Sequence, residues 1–199
     1  MLFIISSTSS LPVSSAGGPA TSAKLNGVCL PCGDGAGNYL IPDQSNHAIR
    51  FVASTGTITT IAGVPASAGY SGEGLAATSS KLSSPVSIAP YRGGYVIINR
   101  GSCRLTMLWA NLTMSTLAGT GTCGLSGDSG PATAANVNPG YGLGMADSGP
   151  VGGFVWAENS NSVVRRVLPS GVVVRVAGTG TAGYGGQWGE GEQDPATLD

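Results

Sequence analysis

The chain has 199 residues, enough for one domain or part of a larger one, and enough to bury a core. Its 33 glycines and 12 prolines exclude a helical bundle, and its 41 % apolar content excludes a disordered chain. Only 10 % of residues are charged, the net charge is −1 and no basic stripe exists, which argues against nucleic acid as a partner.

In chain order, the first segment is MLFIIS, residues 1–6. It lacks a basic n-region, a full apolar h-region and a small-residue cleavage site, so no signal peptide is predicted. The longest apolar runs reach about five residues against the roughly 18–20 of a membrane helix, so no membrane span is predicted. A marker then recurs along the chain: Pro19-Ala20-Thr21, Ala76-Ala77-Thr78, Pro131-Ala132-Thr133 and Pro195-Ala196-Thr197, whose threonines fall 57, 55 and 64 residues apart. A second marker, Ile61-Ala62-Gly63, Leu117-Ala118-Gly119 and Val176-Ala177-Gly178, steps by 56 and 59. Asn46-His47-Ala48-Ile49-Arg50 is echoed 115 residues on by Asn161-Ser162-Val163-Val164-Arg165. Three markers in one register define a repeat.

Within a unit, short apolar runs are bounded by Gly, Pro, Asn and Ser, which signals strands joined by turns. Residues 85–90, 94–99, 104–109 and 115–118 read as four strands of the second unit. Turns fall at Arg92-Gly93-Gly94 and at residues 110–114, the latter matched by Ser54-Thr55-Gly56 and Pro169-Ser170-Gly171. Four short strands per unit of about 55 residues predict blades of a β-propeller. The division is then residues 1–24, a fourth strand and linking loop; 25–64, blade 1; 65–84, a loop; 85–119, blade 2; 120–136, a loop; 137–178, blade 3; and 179–199, a loop and the start of another unit.

The run GNYLIPDQSNHAIRFV, with GTITTIAG, GYSGEG and AAT after it in residues 37–78, resembles the long form of the NHL repeat. That form reads roughly GNLYIADTGNHRIRKV, TITTVAGTG and GYSGDGGPATAA. The resemblance covers nearly the whole chain and implies an all-β propeller of NHL type. Unit two departs from it: Asn99-Arg100-Gly101-Ser102-Cys103-Arg104-Leu105 stands where the D-x-x-N-H-x-I-R box belongs. Its apolar alternation survives, so its blade is expected to form.

The ring is incomplete within the chain. Residues 1–6 lie 57 before residues 58–63, so they match a fourth strand without its first three. Propellers have about four to eight blades and three are present here. The shortfall is expected to be met either by a longer polypeptide, the favoured reading, or by other chains. In the second case Leu2, Phe3, Ile4 and Ile5 form a possible strand-exchange segment for a neighbour's open edge.

Gly127-Asp128-Ser129-Gly130-Pro131 mimics a serine-protease nucleophile, but a triad needs a histidine base, and the single histidine, His47, sits in the repeat box. Residues 119–124 and 178–183 satisfy G-x-G-x-x-G without the strand-to-helix context of a dinucleotide site, so they read as turns. No catalytic residue, no metal site and no cofactor is expected. Cys29-Leu30-Pro31-Cys32 has zinc-ligand spacing, yet no second pair completes four ligands. Disulfides are the preferred reading: Cys103 with Cys123, leaving Cys29 and Cys32 to pair locally, although four cysteines allow three connectivities. Asn111-Leu112-Thr113 is an N-glycosylation sequon in the turn between third and fourth strands.

Asp43, Glu73, Asp128 and Glu158 read as solvated or turn-capping carboxylates rather than a calcium site. Tyr70 and Tyr184 read as packing between blades, and Trp188 as an open carbohydrate-stacking candidate. The leading expectation is an extracellular or cell-surface interaction module, binding protein partners or copies of itself, with glycans as a further candidate ligand. Alternatives are a filament subunit built by strand exchange, an enzyme similar to peptidyl-hydroxyglycine lyases, which need several metal-binding histidines, and an RNA-binding protein, which the balanced charge opposes.

Overall fold

A computed structural model describes residues 17–71, 73–146 and 153–184 of the chain. It contains three antiparallel sheets and, among the described residues, no α-helix. Blade 1 comprises β1 (Gly18–Pro19), β2 (Cys32–Gly33), β3 (Tyr39–Asp43), β4 (Ala48–Val52) and β5 (Thr57–Ala62), in the order β1-β5-β4-β3-β2. Blade 2 is the meander β6 (Pro85–Tyr91), β7 (Gly94–Asn99), β8 (Arg104–Leu108) and β9 (Met114–Ala118). Blade 3 is the meander β10 (Leu143–Ala146), β11 (Gly153–Glu158), β12 (Val163–Val167) and β13 (Val173–Ala177). Among the described residues no sheet closes on itself. The exchange segment Leu2, Phe3, Ile4 and Ile5, Trp188 and the final Pro195-Ala196-Thr197 lie outside the described residues.

Blade 2 shows why these sequences stack. Along β7 successive side chains point to opposite faces, and all six residues are buried. Tyr95 and Ile97 join Leu40, Ile49, Phe51 and Ile61 of blade 1 in one core. Val96 and Ile98 join Phe154, Trp156, Val167 and Val173 of blade 3 in another. A strand covered on both sides reads as a continuous apolar run, which is what Tyr95-Val96-Ile97-Ile98 is. The degenerate box of unit two therefore leaves its blade intact.

Each linking segment fastens two blades together. Its Pro-Ala-Thr or Ala-Ala-Thr turn is a single 3-10 turn, at Ala20–Ser22, Ala77–Ser79 and Ala132–Ala134. The first residue of each turn donates its backbone N–H to the turn ahead of the following blade's fourth strand: Ala20 to Gly56 O at 2.8 Å, Ala77 to Leu112 O at 2.7 Å, Ala132 to Gly171 O at 2.9 Å. The same residue accepts from the blade behind, Gly63 N to Ala77 O at 2.9 Å and Gly119 N to Ala132 O at 3.0 Å. The linker thus covers part of an outer strand whose edge is otherwise open.

That acceptor position explains one repeated glycine. Gly119 has φ +100°, and a Cβ there would lie 2.3 Å from Cys103 O and 2.9 Å from the Val137 side chain. Gly63 and Gly178 meet the same obstruction, from His47 O and Ser162 O. Gly119→Ala combines an unfavourable left-handed backbone with a steric clash, and is expected to cost roughly 2–4 kcal/mol. Gly171→Ala, with φ +82° and nothing within 4 Å of its Cβ, bears only the backbone term, about 1 kcal/mol. Urea unfolding of the two variants checks the difference, and equal midpoints would contradict it.

Candidate functional site

Among the described residues, most of the buried polar side chains gather at the turn between second and third strands. In blade 1, Asp43 is fully buried at the end of β3. Its carboxylate accepts from the Asn26 backbone N–H at 2.8 Å and from Asn46 Nδ2 at 3.0 Å, and pairs with Arg50 at 3.4 Å. In blade 3 the same positions are Glu158, Asn161 and Arg165. Glu158 accepts from Trp156 Nε1 at 2.9 Å and Asn161 Nδ2 at 2.5 Å, and lies 3.5 Å from Arg165.

Arg165 has no exposed side-chain surface, so its charge must be matched from within. Beyond Glu158 it pairs with Asp128 at 2.8 Å and donates to the carbonyls of Asn136 and Ser126 at 2.9 and 2.8 Å. Asp128 also holds Arg175 of β13 at 3.0 Å. The GDSGP loop is thereby an anchor: its aspartate is the counter-ion of two arginines. His47, the sole imidazole, accepts the Ser84 backbone N–H on Nδ1 at 3.2 Å, which ties blade 1 to the entry of blade 2.

Blade 2 carries the neutral version of the box. Asn99 replaces the carboxylate and Thr106 replaces the arginine, both fully buried. Asn99 Oδ1 keeps the geometry of blade 1 by accepting the Ser83 N–H at 2.7 Å, as Asp43 accepts the Asn26 N–H. Losing both charges together avoids stranding either of them in a buried site.

The cysteines fall into two kinds. Cys103 and Cys123 form a disulfide with Cα atoms 5.2 Å apart, joining the start of β8 to the segment after β9. Cys29 and Cys32 are thiols, so the expected local pair is not formed. The reason is geometric: the segment runs extended beside β6, with Leu30 N donating to Val86 O, and residues three apart on an extended chain face opposite ways. Cys29 donates to Gln44 Oε1 at 2.8 Å, whereas Cys32 packs against the core between blades 1 and 2. Burial raises both thiols, against a lowering by Arg100 at Cys29 and with a further rise from Asp34 at Cys32, which reaches about 12. Neither is a ready nucleophile.

In the β8–β9 turn, Asn111 is exposed, and its Oδ1 accepts from both the N–H and the hydroxyl of Thr113, at 3.1 and 2.8 Å. Tyr70 donates to Glu73 and also bonds Thr116, beneath the Arg104 guanidinium, which lies 4.2 Å from the ring centre. Burial raises the Tyr70 phenol to about 12, with Glu73 adding to the rise. Burial works against the Glu73 charge, but the bonds from Tyr70 and Thr116 and the Arg104 charge outweigh it and lower the carboxyl. Tyr184 is 93 % exposed.

Two features were not foreseen. One is the Asp128–Arg165–Arg175 network, signalled only by arginines paired across adjacent strands and facing an acidic linker. The other is a cavity of about 270 Å³ on the outer side of blade 3, lined by Glu158, Ser162, Val164, Ala177 and Gly178 among others. Among the described residues, no three His, Cys, Asp or Glu side chains converge as a metal site, and no helix is long and apolar enough to cross a membrane.

No protein-family profile matches the chain, and no curated protein sequence matches it. Solved structures do. An auxiliary nutrient binding protein from Bacteroides ovatus ATCC 8483 is 15 % identical, with a TM-score of 0.52 over 71 % of this chain and 35 % of that one. A streptogramin B lyase is 11 % identical with a TM-score of 0.49, covering 77 % of this chain and 41 % of that one. A virginiamycin B lyase from Staphylococcus aureus is 12 % identical with a TM-score of 0.44, over 74 % and 39 %. The chain spans about two fifths of the length of these proteins or less. At such identities the likeness concerns fold alone, and the fold is a β-propeller of three blades with the ring left incomplete.

The box makes a stability prediction. Arg165→Thr leaves Glu158 buried without its partner and is expected to cost about 3–5 kcal/mol. Adding Glu158→Asn reproduces the blade 2 pair and recovers part of that loss, so a double variant no more stable than Arg165→Thr contradicts the coupling. A second prediction concerns pH. Cys32 stays protonated in the native state, so its contribution to stability is complete below the ordinary value of 9.0 and is lost as pH rises towards about 12. At pH 8 a thiol reagent should label it far more slowly in native protein than in urea, and equal rates would contradict this.

Proposed function

We propose that the chain is an interaction or scaffold module of the β-propeller kind, acting outside the cell or at its surface. The observation that carries this reading is the use made of the polar side chains. Asp43, Glu158, Asp128, Glu73 and His47 are each engaged in bonds between strands, linkers or blades. A general acid or base needs a group directed at a substrate, and these are directed at the scaffold. The resemblance to NHL repeats adds support, because those propellers differ in work while sharing shape. Protein partners, including copies of the same chain, are the class of ligand that fits such a body.

An oxidising compartment is supported by the Cys103–Cys123 bond and by the exposure of Asn111 on its turn. An oligosaccharide at Asn111 would extend from a turn already fixed by Thr113 and by the linker, whose Ala77 N–H holds Leu112. The second reading, a subunit of an assembly completed between chains, is favoured by apolar positions exposed at both outer blades. An activity similar to the peptidyl-hydroxyglycine lyases is the least supported, since His47 already accepts a backbone bond.

Peptide mapping of the protein from its own source, reduced and non-reduced, tests the compartment. The expected result is one linked peptide pair containing Cys103 and Cys123, with Asn111 carrying glycan on at least part of the molecules. Free Cys103 together with an unmodified Asn111 would overturn the extracellular assignment.

A further inference from the structure

The turn between third and fourth strands has the same backbone in every blade. Its first residue donates to the carbonyl of the fifth and accepts from the N–H of the fourth. These residues are Ala53, Thr57 and Gly56 in blade 1, Trp109, Thr113 and Leu112 in blade 2, and Leu168, Val172 and Gly171 in blade 3. The fourth residue is left-handed each time, at φ +84°, +58° and +82°. This is the three-residue hairpin loop. Only the side chains differ. Blade 2 alone combines an aromatic first residue with asparagine third and threonine fifth, and Asn111 heads the chain's single N-x-S/T sequon.

The three side chains lie on one face of the hairpin. Residues opposite one another on antiparallel strands project to the same face, which sets Thr113 beside Trp109. Asn111 is drawn to that face by its own bonds, since its Oδ1 accepts from the Thr113 N–H and hydroxyl at 3.1 and 2.8 Å. Among the described residues, Asn111 Nδ2 donates no hydrogen bond. The indole is also held in place. Trp109 Nε1 donates to Ser115 Oγ at 2.9 Å, yet the residue stays 38 % exposed. With its N–H satisfied, what the indole still offers to water is apolar ring.

We propose that this ring is the seat of the first N-acetylglucosamine of a glycan on Asn111. The proposal rests on the extracellular reading and gives its glycan a defined position against blade 2. In the covalent step Asn111 Nδ2 loses one proton and bonds C1 of the sugar. The bond from C1 to the diphosphate of a lipid-linked oligosaccharide donor breaks, and its electron pair leaves with the diphosphate. Oδ1 takes no part, so both Thr113 contacts survive. The sugar's C–H face then lies on the indole, and both surfaces leave water. A free monosaccharide would hold a single ring only weakly. Tethered two residues away, the contact is intramolecular and gains an effective concentration in the millimolar range. A free carbohydrate or a protein partner has no such tether. Ring and attachment point occur together in the one turn, and Ala53 and Leu168 stand where the others have neither.

The test secretes wild type and Trp109→Leu from a eukaryotic host restricted to high-mannose glycans, and trims the glycan to one N-acetylglucosamine with endoglycosidase H. Leucine is the blade 3 residue at this position, on a hairpin of the same backbone. Protein made with synthesis of the lipid-linked donor blocked keeps Asn111 and is the bare reference. Asn111 should be occupied, and the single sugar should raise the wild-type melting temperature by roughly 2–4 °C. In Trp109→Leu that gain should fall below about 1 °C, because the coupling partner is gone. Nuclear Overhauser contacts should join the indole and sugar-ring protons of wild type, a readout that holds even where Trp109→Leu fails to fold. An Asn111 left bare by that host would overturn the proposal. So would an equal gain in Trp109→Leu, or a trimmed wild type without sugar–indole contacts. An occupied Asn111 with no Trp109 effect would leave the extracellular reading standing, because that reading is decided by the peptide map of protein from its own source.

Discussion

A blade of this protein is a thin sheet that is apolar on both sides, and neither side can be covered by the blade itself. Tyr95 and Ile97 face one way along β7 while Val96 and Ile98 face the other, and each pair is buried only because another blade stands against it. The stability of blade 2 is thus a property of its two junctions. That is the physics of a repeat array, in which neighbour contacts supply what the single unit lacks. The linker geometry follows from it. A segment that bonds backward to Gly63 or Gly119 and forward to Leu112 or Gly171 sets the spacing between blades before any side chain packs.

The polar boxes sit within this arrangement as junction chemistry. Arg165 illustrates the cost and its remedy: a guanidinium without solvent contact is tolerable because two carboxylates and two carbonyls surround it. Blade 2 solves the same geometric problem with Asn99 and Thr106, keeping the Ser83 contact and dropping both charges. Asn99 Nδ2 and Thr106 Oγ1 then find no protein partner. A neutral group left so costs about 1–3 kcal/mol, whereas a lone buried charge costs more. The Cys103–Cys123 bond also lies at this neutral box, and ties it to the segment after β9.

What was legible in the sequence follows the same division. Strand positions in unit two could be read because turns are marked by Gly, Pro and Asn, and because apolar residues repeat in register. The observed β6, β8 and β9 differ from the sequence reading by single residues at their ends. The protease-like motif could be discounted because the single histidine, His47, sits in the repeat box, and the G-x-G-x-x-G runs because they lack the strand-to-helix context. Illegible were the contacts that depend on where a linker folds back. Asp128 reaches Arg165 and Arg175 across more than thirty residues, and no local pattern announces that. Cys29 and Cys32 misled for a related reason: spacing suggested a bond, but the backbone between them is held straight by Val86 of the next blade.

The same logic bears on the exposed edges. Leu25 and Tyr39 carry the residue types that Leu82 and Tyr95 carry, yet stay 37 % and 56 % exposed. An edge designed for water would show charges or proline at those positions. These positions instead repeat the apolar sequence of an interior blade, as do Val164, Val176 and Ala177 at the opposite end. Both outer faces are therefore interior faces by composition. The two internal junctions show how such a face is covered when a blade stands against it: Leu82 shares a core with Ala62, and Val137 packs against Gly119.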